Sequence, residues 1–358
     1  MKLIAFYLPQ FHEIPENNDA WGNGFTEWTN VKKARSLYLG HYQPRIPLHN
    51  NYYNLLDVRT MEWQDRLARK AGIYGFCFYH YWFQGRMVLE KPVENWLKNN
   101  KIRTHFCFAW ANEPWTKTWH GAGGNKEILL PQTYGGQEEW QEHYNYFRKF
   151  FMDTRYIKVQ NKPMLLIYKL KNIPHFNKMI GFWNECARND GFHGIYIVSM
   201  NVDHEYIEGV KSVSASVDFE PNRTKYKLLL ENTTEAKPKE KSIIWNRYAM
   251  RTLNYDVINH KMLKIPHKKE NFRTVFVGYD DTPRRNLQGL ITVGQSPRKF
   301  EKYLKKTIQL SKQEGNEFVF INAWNEWGEG NYLEPDMRYH YTYLNAVRKC
   351  SRKFLNKK

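Results

Sequence analysis

Short apolar runs alternate with stretches of helical periodicity from one end of the chain to the other. Eight runs read as strands, near 2–8, 74–81, 103–110, 163–168, 194–199, 213–219, 273–279 and 317–323. They are continuous and not alternating, which predicts strands covered on both faces, as in a parallel sheet wrapped by helices. Between them the spacing changes. Trp140, Tyr144, Phe147 and Phe151 recur at helical intervals, as do Phe176, Ile180, Trp183 and Ala187 before an Asn189-Asp190-Gly191 stop. Phe300, Leu304 and Ile308 follow Ser296 as N-cap and Pro297 at the first helical position. Leu56, Trp63, Leu67 and Ala71 mark an earlier helix.

Eight strands alternating with helices predict an α/β chain folded as one (β/α)8 TIM barrel over 1–358, with long loop insertions. The weakly periodic stretch near 220–272 reads as such an insertion, and 348–358 as a basic C-terminal tail. A doubly wound open sheet is the competitor, but it would carry a glycine-rich phosphate loop after the first strand. That position reads Pro9-Gln10-Phe11-His12.

Composition narrows the class. The 358 residues include 54 Lys plus Arg against 36 Asp plus Glu, a net +18, and 16% are aromatic, so the chain is not disordered. Cys77, Cys107, Cys186 and Cys350 lie far apart without a C-x-x-C pair, which argues against a disulfide framework or a thiolate zinc site and fits a reducing compartment. The N-terminal apolar run meets Pro9 too early for a signal-peptide core, and no long apolar span exists, so a cytoplasmic protein is expected. The basic excess lies in loops and the tail, without a basic helix stripe or a nucleic-acid motif, so no nucleic acid is expected as partner. Peripheral contact with an anionic membrane, where lipid-linked glycans are handled, suits the same charge.

In a barrel of this kind, chemistry belongs just past the C-terminal strand ends. Those segments are polar and aromatic: Gln10, His12 and Trp28 after the first, His80 and Trp82 at the second, Trp110, Asn112, Glu113 and Trp115 at the third, and Asp280 at the seventh. The eighth ends in Trp324, Asn325, Glu326, Trp327, Gly328, Glu329 and Gly330, with Glu334 close behind. Flat rings beside carboxylates and amides suit sugars, whose axial faces are apolar and whose hydroxyls need polar partners. Glu326 and Glu329, three apart in W-N-E-W-G-E-G, form the strongest signal. Glycosidic cleavage needs one protonated and one ionised carboxyl group, and like-charge repulsion within one turn drives their pKa values apart. No zinc-protease helix, Walker loop or serine elbow is present; His80, His105 and His120 lack ligand spacing, so no metal or cofactor is expected.

The segments A-F-Y-L-P-Q-F-H, G-F-T-E-W-T-N-V, F-A-W-A-N-E-P-W, D-T-P-R-R and I-N-A-W-N-E-W-G-E-G together resemble the WbsX-like proteins of bacterial surface-polysaccharide loci. That group is similar to glycoside hydrolase family 99, barrels that act as endo-α-mannosidases. The resemblance implies cleavage of an internal α-linked glycan with retention through a 1,2-anhydro sugar. Glu326 would take the proton of the 2-hydroxyl, Glu329 would protonate the leaving oxygen, and Tyr7 would match a sugar-contacting tyrosine. The hydrolases have His where this chain has Gly328, which leaves room for a different subsite. A glycosyltransferase of O-antigen or capsule synthesis and a non-catalytic glycan-binding protein stay as alternatives.

Overall fold

A computed structural model describes residues 1–116, 127–202, 212–230 and 250–354. Eight parallel strands form its centre: β1 (Lys2–Tyr7), β2 (Gly75–Phe83), β3 (His105–Trp110), β4 (Lys162–Ile167), β5 (Tyr196–Asn201), β6 (Ala215–Asp218), β7 (Asn271–Phe276) and β8 (Phe318–Asn322). Each pairs with its neighbours in chain order, and β1 pairs with both β2 and β8, so the sheet closes on itself. This is the expected (β/α)8 barrel. The strands are almost wholly buried, as their continuous apolar runs require.

The wrapping helices follow from the periodicities. In α5 (Gln137–Phe151) and α6 (Phe176–Asn189) the aromatic faces meet, with Phe147 and Trp183 ring centroids 5.8 Å apart. Helix α10 (Pro297–Gln313) starts at Ser296, whose hydroxyl accepts from the Lys299 N–H, a cap worth about 1 kcal/mol. Helix α3 (Val58–Ala71) exists, but its buried stripe is Met61, Gln64, Asp65, Ala68 and Ala71, not the stripe through Leu56. The reason is polar: Asp65 accepts from the backbone N–H groups of Arg103 and Thr104, and Gln64 joins β1 to the loop after β8. Two positions in the middle of an apolar face are therefore spent on ties between elements.

The region 220–272, read as an insertion, is regular where the structure describes it. It contains α7 (Asn222–Leu230) and α8 (Tyr255–Lys264), with Asn254 capping α8 and the Tyr255 hydroxyl donating to the carbonyl of Phe276 on β7; residues 231–249 lie outside the described ones. Arg251–Asn254 pairs with Leu290–Val293 in a small parallel ribbon beside the barrel. The basic tail continues α11 (Thr342–Phe354), and residues 355–358 are outside the described part. Among the described residues no helix is long and apolar enough to cross a membrane.

Candidate active site

Beyond β8 the chain makes a tight hairpin. Asn325–Glu326 pairs with Asn331–Tyr332 around the single turn Trp327–Glu329, and Gly330 closes it at φ +57°. The turn puts Glu326 and Glu329 on one wall of a cavity of about 230 Å3 at the C-terminal mouth, whose lining comes from every strand end except that of β5. A larger cavity of about 430 Å3 lies behind the wall. The smaller one is the candidate active site, because both acids line it.

Arg284 organises those acids. It sits on the short helix α9 (Thr282–Arg285), within D-T-P-R-R, and its side chain is 5% exposed. Nε donates to Glu27 at 2.9 Å, Nη1 to Glu329 at 2.8 Å and Nη2 to Glu326 at 3.5 Å. Three carboxyl groups thus face one guanidinium, too much negative charge for a buried place unless a proton is retained. Glu326 retains it: burial first, then the charge of Glu329, push its pKa well above the carboxylate range against the pull of Arg284. Glu329 is the more open of the two, with 26% of its side chain exposed against 9% for Glu326. Lys225 of α7 lies over the Tyr279 ring, 3.6 Å from its centroid, and burial lowers its pKa to about 8.

Four residues singled out in the sequence line this cavity: Glu113, Trp115, Glu326 and Glu329. The others do not reach it. Tyr7 is buried with its hydroxyl donating to Gln64 at 2.7 Å. Gln10 and His12 are buried in the loop after β1, and Trp28 donates from its indole to the Tyr53 carbonyl. His80 shares a 2.8 Å hydrogen bond with His143 of α5, its pKa lowered to about 3 by burial, and Trp82 stacks on that same histidine at 4.2 Å. Trp110 packs against His143 and Trp183. Asn112 ties the loops after β3 and β4 through both backbone groups of Lys169. Trp324 packs on Phe76, and Asn325 clamps Leu8 through two backbone hydrogen bonds. Trp327 stacks on Tyr332 at 3.7 Å and donates to Glu334, which also accepts from Gln64 and Tyr53. Asp280 faces the larger cavity. His105 stacks on Tyr74, and His120 lies outside the described residues.

The strand period explains the exchange. On β2, His80 and Trp82 point into the helix layer, so the intervening Tyr79 and Tyr81 face the cavity. Tyrosines 79, 81, 168 and 279 supply the rings expected from tryptophans. Lys225 was missed, and Glu27 and Arg284 stood in the strand-end segments without an assigned role. A buried carboxylate pair needs a cation, and the paired arginines of D-T-P-R-R were the available sign of one. The room expected beside Gly328 is filled by Glu27 and Arg284, so no separate subsite opens there.

The family description Glycosyltransferase WbsX matches residues 3–347. The chain belongs to the WbsX family. It is 33% identical to the uncharacterized protein WxcX of Xanthomonas campestris pv. campestris strain ATCC 33913, across 97% of this chain and 49% of that protein. The WxcX of strain B100 gives 32% over the same shares, so this WbsX-family chain spans about half the length of the curated relatives it matches. Among solved structures it is similar to the GH99 endo-alpha-mannosidase of Bacteroides thetaiotaomicron, with TM-score 0.58, 14% identity and coverage of 98% of this chain and 97% of that one. A protein described as glycoside hydrolase-like gives TM-score 0.58 at 14% identity, covering 99% and 93%. At such identity the likeness establishes the shared barrel and nothing finer.

Proposed function

We propose that this WbsX-family chain cleaves an internal α-linked glycan in surface-polysaccharide metabolism, with Glu326 and Glu329 as the catalytic pair. The observation that carries the reading is the single guanidinium of Arg284 held between both acids at the barrel mouth. Such a pair shares one proton. Burial keeps that proton on Glu326 in the resting site, so the roles require it to pass to Glu329 as the substrate binds. In the reactive form the proton stands on Glu329. Glu326 takes the 2-hydroxyl proton as that oxygen closes onto the anomeric carbon, while the bond to the leaving oxygen breaks and Glu329 protonates it. Water then opens the 1,2-anhydro ring at the anomeric carbon, giving its proton to Glu329, and Glu326 returns its own to the ring-opened 2-oxygen. The two inversions add to retention.

A second reading is favoured by the family description: a sugar hydroxyl replaces water in the second step, which makes the enzyme a transferase with the same residues. A lipid-linked form of the glycan, contact with an anionic membrane and a cytoplasmic setting belong to this proposal as well. The last turn of α11 with Arg352 and Lys353 supports the second, and four free cysteines support the third.

Glycosyl fluorides test the division of labour, because fluoride departs without a proton. Across a panel of α-glycosyl fluorides, Glu329→Gln is expected to keep the first step and Glu326→Gln to lose it. Loss in Glu329→Gln with retention in Glu326→Gln reverses the roles, and undiminished polysaccharide cleavage by both removes the pair from the mechanism.

A further inference from the structure

The segment after β7 is a partition. Tyr279 and Asp281 face the acid pair, while Gly278 and Asp280 face the larger cavity behind, which the loop 38–45 and the start of α11 enclose on its other sides. At about 430 Å3 the rear cavity falls in the size range of small-molecule sites. The wall is thin: the Asp280 N–H donates to the Glu329 carbonyl, and Gly330 on its rear side packs under the guanidinium of Arg45.

The chemistry of this cavity points to an anion. Arg45 is 6% exposed, and its Nε has no hydrogen-bond partner. It shares the ring of Tyr42 with Arg338, the two guanidinium carbons 5.0 Å and 4.6 Å from the centroid. Two cations meet one ring there, and each such contact is worth only about 1 kcal/mol. The nearby carboxylates are shared: Asp280, which forms an ion pair with Arg45, and Asp336 both accept from several other groups. Asp280 accepts from His41, Gln43 and Thr282 at 2.6–3.0 Å and stands 3.7 Å from Arg45. Asp336 accepts from the hydroxyls of Tyr42 and Tyr332 and from the backbone of Arg338. An oxyanion reaching Arg45 and Arg338 would satisfy the buried Nε and bring a counter-charge to both cations. The rest of the wall suits a sugar: the rings of Tyr38 and Tyr339 line it, and the side-chain amide oxygen of Gln295 is a buried acceptor without a donor.

We infer that the rear cavity is a second saccharide site that binds an acidic sugar unit, a pyranose carrying a carboxylate or a phosphate, through Arg45 and Arg338. The inference rests on this cavity and not on the proposed cleavage. Calorimetric titration of the full chain with D-glucuronate, D-glucose 1-phosphate, D-glucose and inorganic phosphate tests it. One or both anionic sugars are expected to bind at least tenfold more tightly than glucose and than inorganic phosphate. Preference for glucuronate assigns the carboxylate as the source, and preference for glucose 1-phosphate assigns the phosphate. Arg338→Gln, a change at an exposed side chain, should weaken binding at least fivefold, whereas Glu329→Gln in the front cavity should leave it unchanged. Arg45→Lys, which keeps the charge and loses the planar fork, should also weaken it. Equal affinity for glucose or for inorganic phosphate, no binding of either anionic sugar, indifference to Arg338→Gln, or loss in Glu329→Gln would overturn the assignment. Failure of glycan cleavage leaves it untouched.

Discussion

Glu27 occupies the space that a side chain on Gly328 would need: a Cβ there would stand 1.7 Å from the Glu27 Oε1 atom. The glycine is therefore a condition for the Glu27–Arg284 ion pair, and that pair holds the guanidinium against Glu326 and Glu329. Gly328→Ala is expected to lower stability by roughly 1–3 kcal/mol, as overpacking of a full core does. Because it also displaces Glu27, kcat/KM should fall at least tenfold. Thermal unfolding and kinetics on the same preparation check both, and unchanged values in either would show that Glu27 moves aside at no cost.

Removing the cation should cost more than crowding it. Arg284→Met leaves Glu27 buried without its partner, and breaking a buried pair in this way typically costs about 3–5 kcal/mol. Arg284→Lys keeps a charge but cannot reach three carboxyl groups with one planar fork. With that pull weakened, the proton of the acid pair is held more tightly, and the pH–rate profile of the lysine variant should shift to higher pH. A shift to lower pH would contradict the charge balance described for the site.

Stability should depend on pH through the same group. Glu326 has a folded pKa of about 8 against an ordinary 4.5, so the folded chain binds more protons than the unfolded one between those values. The stabilisation is complete below about 4.5 and is lost as the pH rises through about 8; Glu334, raised by burial to about 7, adds in the same direction. Glu326→Gln lacks this loss. Its stability relative to the parent should grow with pH, by on the order of 4 kcal/mol at pH 8, while activity disappears. Denaturant unfolding at pH 5 and pH 8 reads the difference, and a pH-independent difference would contradict the assigned proton.

Tyr7 gives a contrasting outcome. Its hydroxyl donates to Gln64, and Gln64 donates to Glu334, a buried chain that joins β1, α3 and the loop after β8. Tyr7→Phe leaves the Gln64 oxygen without its donor and should cost about 1–3 kcal/mol. KM should stay as it was, because the ring does not line the cavity. A raised KM with unchanged stability would return Tyr7 to the sugar.

The architecture was legible because eight buried strands write continuous apolar runs and the helices between them write a different period. Glu326 and Glu329 were legible for a related reason: a strand followed by W-N-E-W-G-E-G leaves few places for its acids except the mouth. The tryptophans misled. Trp28, Trp82, Trp110, Trp324 and Trp327 stand at strand ends and look like a sugar platform, but each is buried and none lines the cavity. Which neighbour faces inward is a parity question, and a run apolar on both faces carries no parity signal. Glu27 and Arg284 are 257 positions apart, so their pairing exists only in the fold. The regular helices within 220–272 were hidden by their Lys and Asn content, since α8 buries only one side against the barrel.

Glu326 and Glu329 are proposed to open an α-glycosidic bond together, with retention. Proton NMR of anomeric signals, followed while the chain acts on the surface polysaccharide of its own host, tests it most directly. New reducing ends should appear first in the α configuration and later equilibrate, and neither Glu326→Gln nor Glu329→Gln should produce them although both remain folded. Release of β-configured ends first, equal release by the variants, or no release by the parent chain would contradict the account.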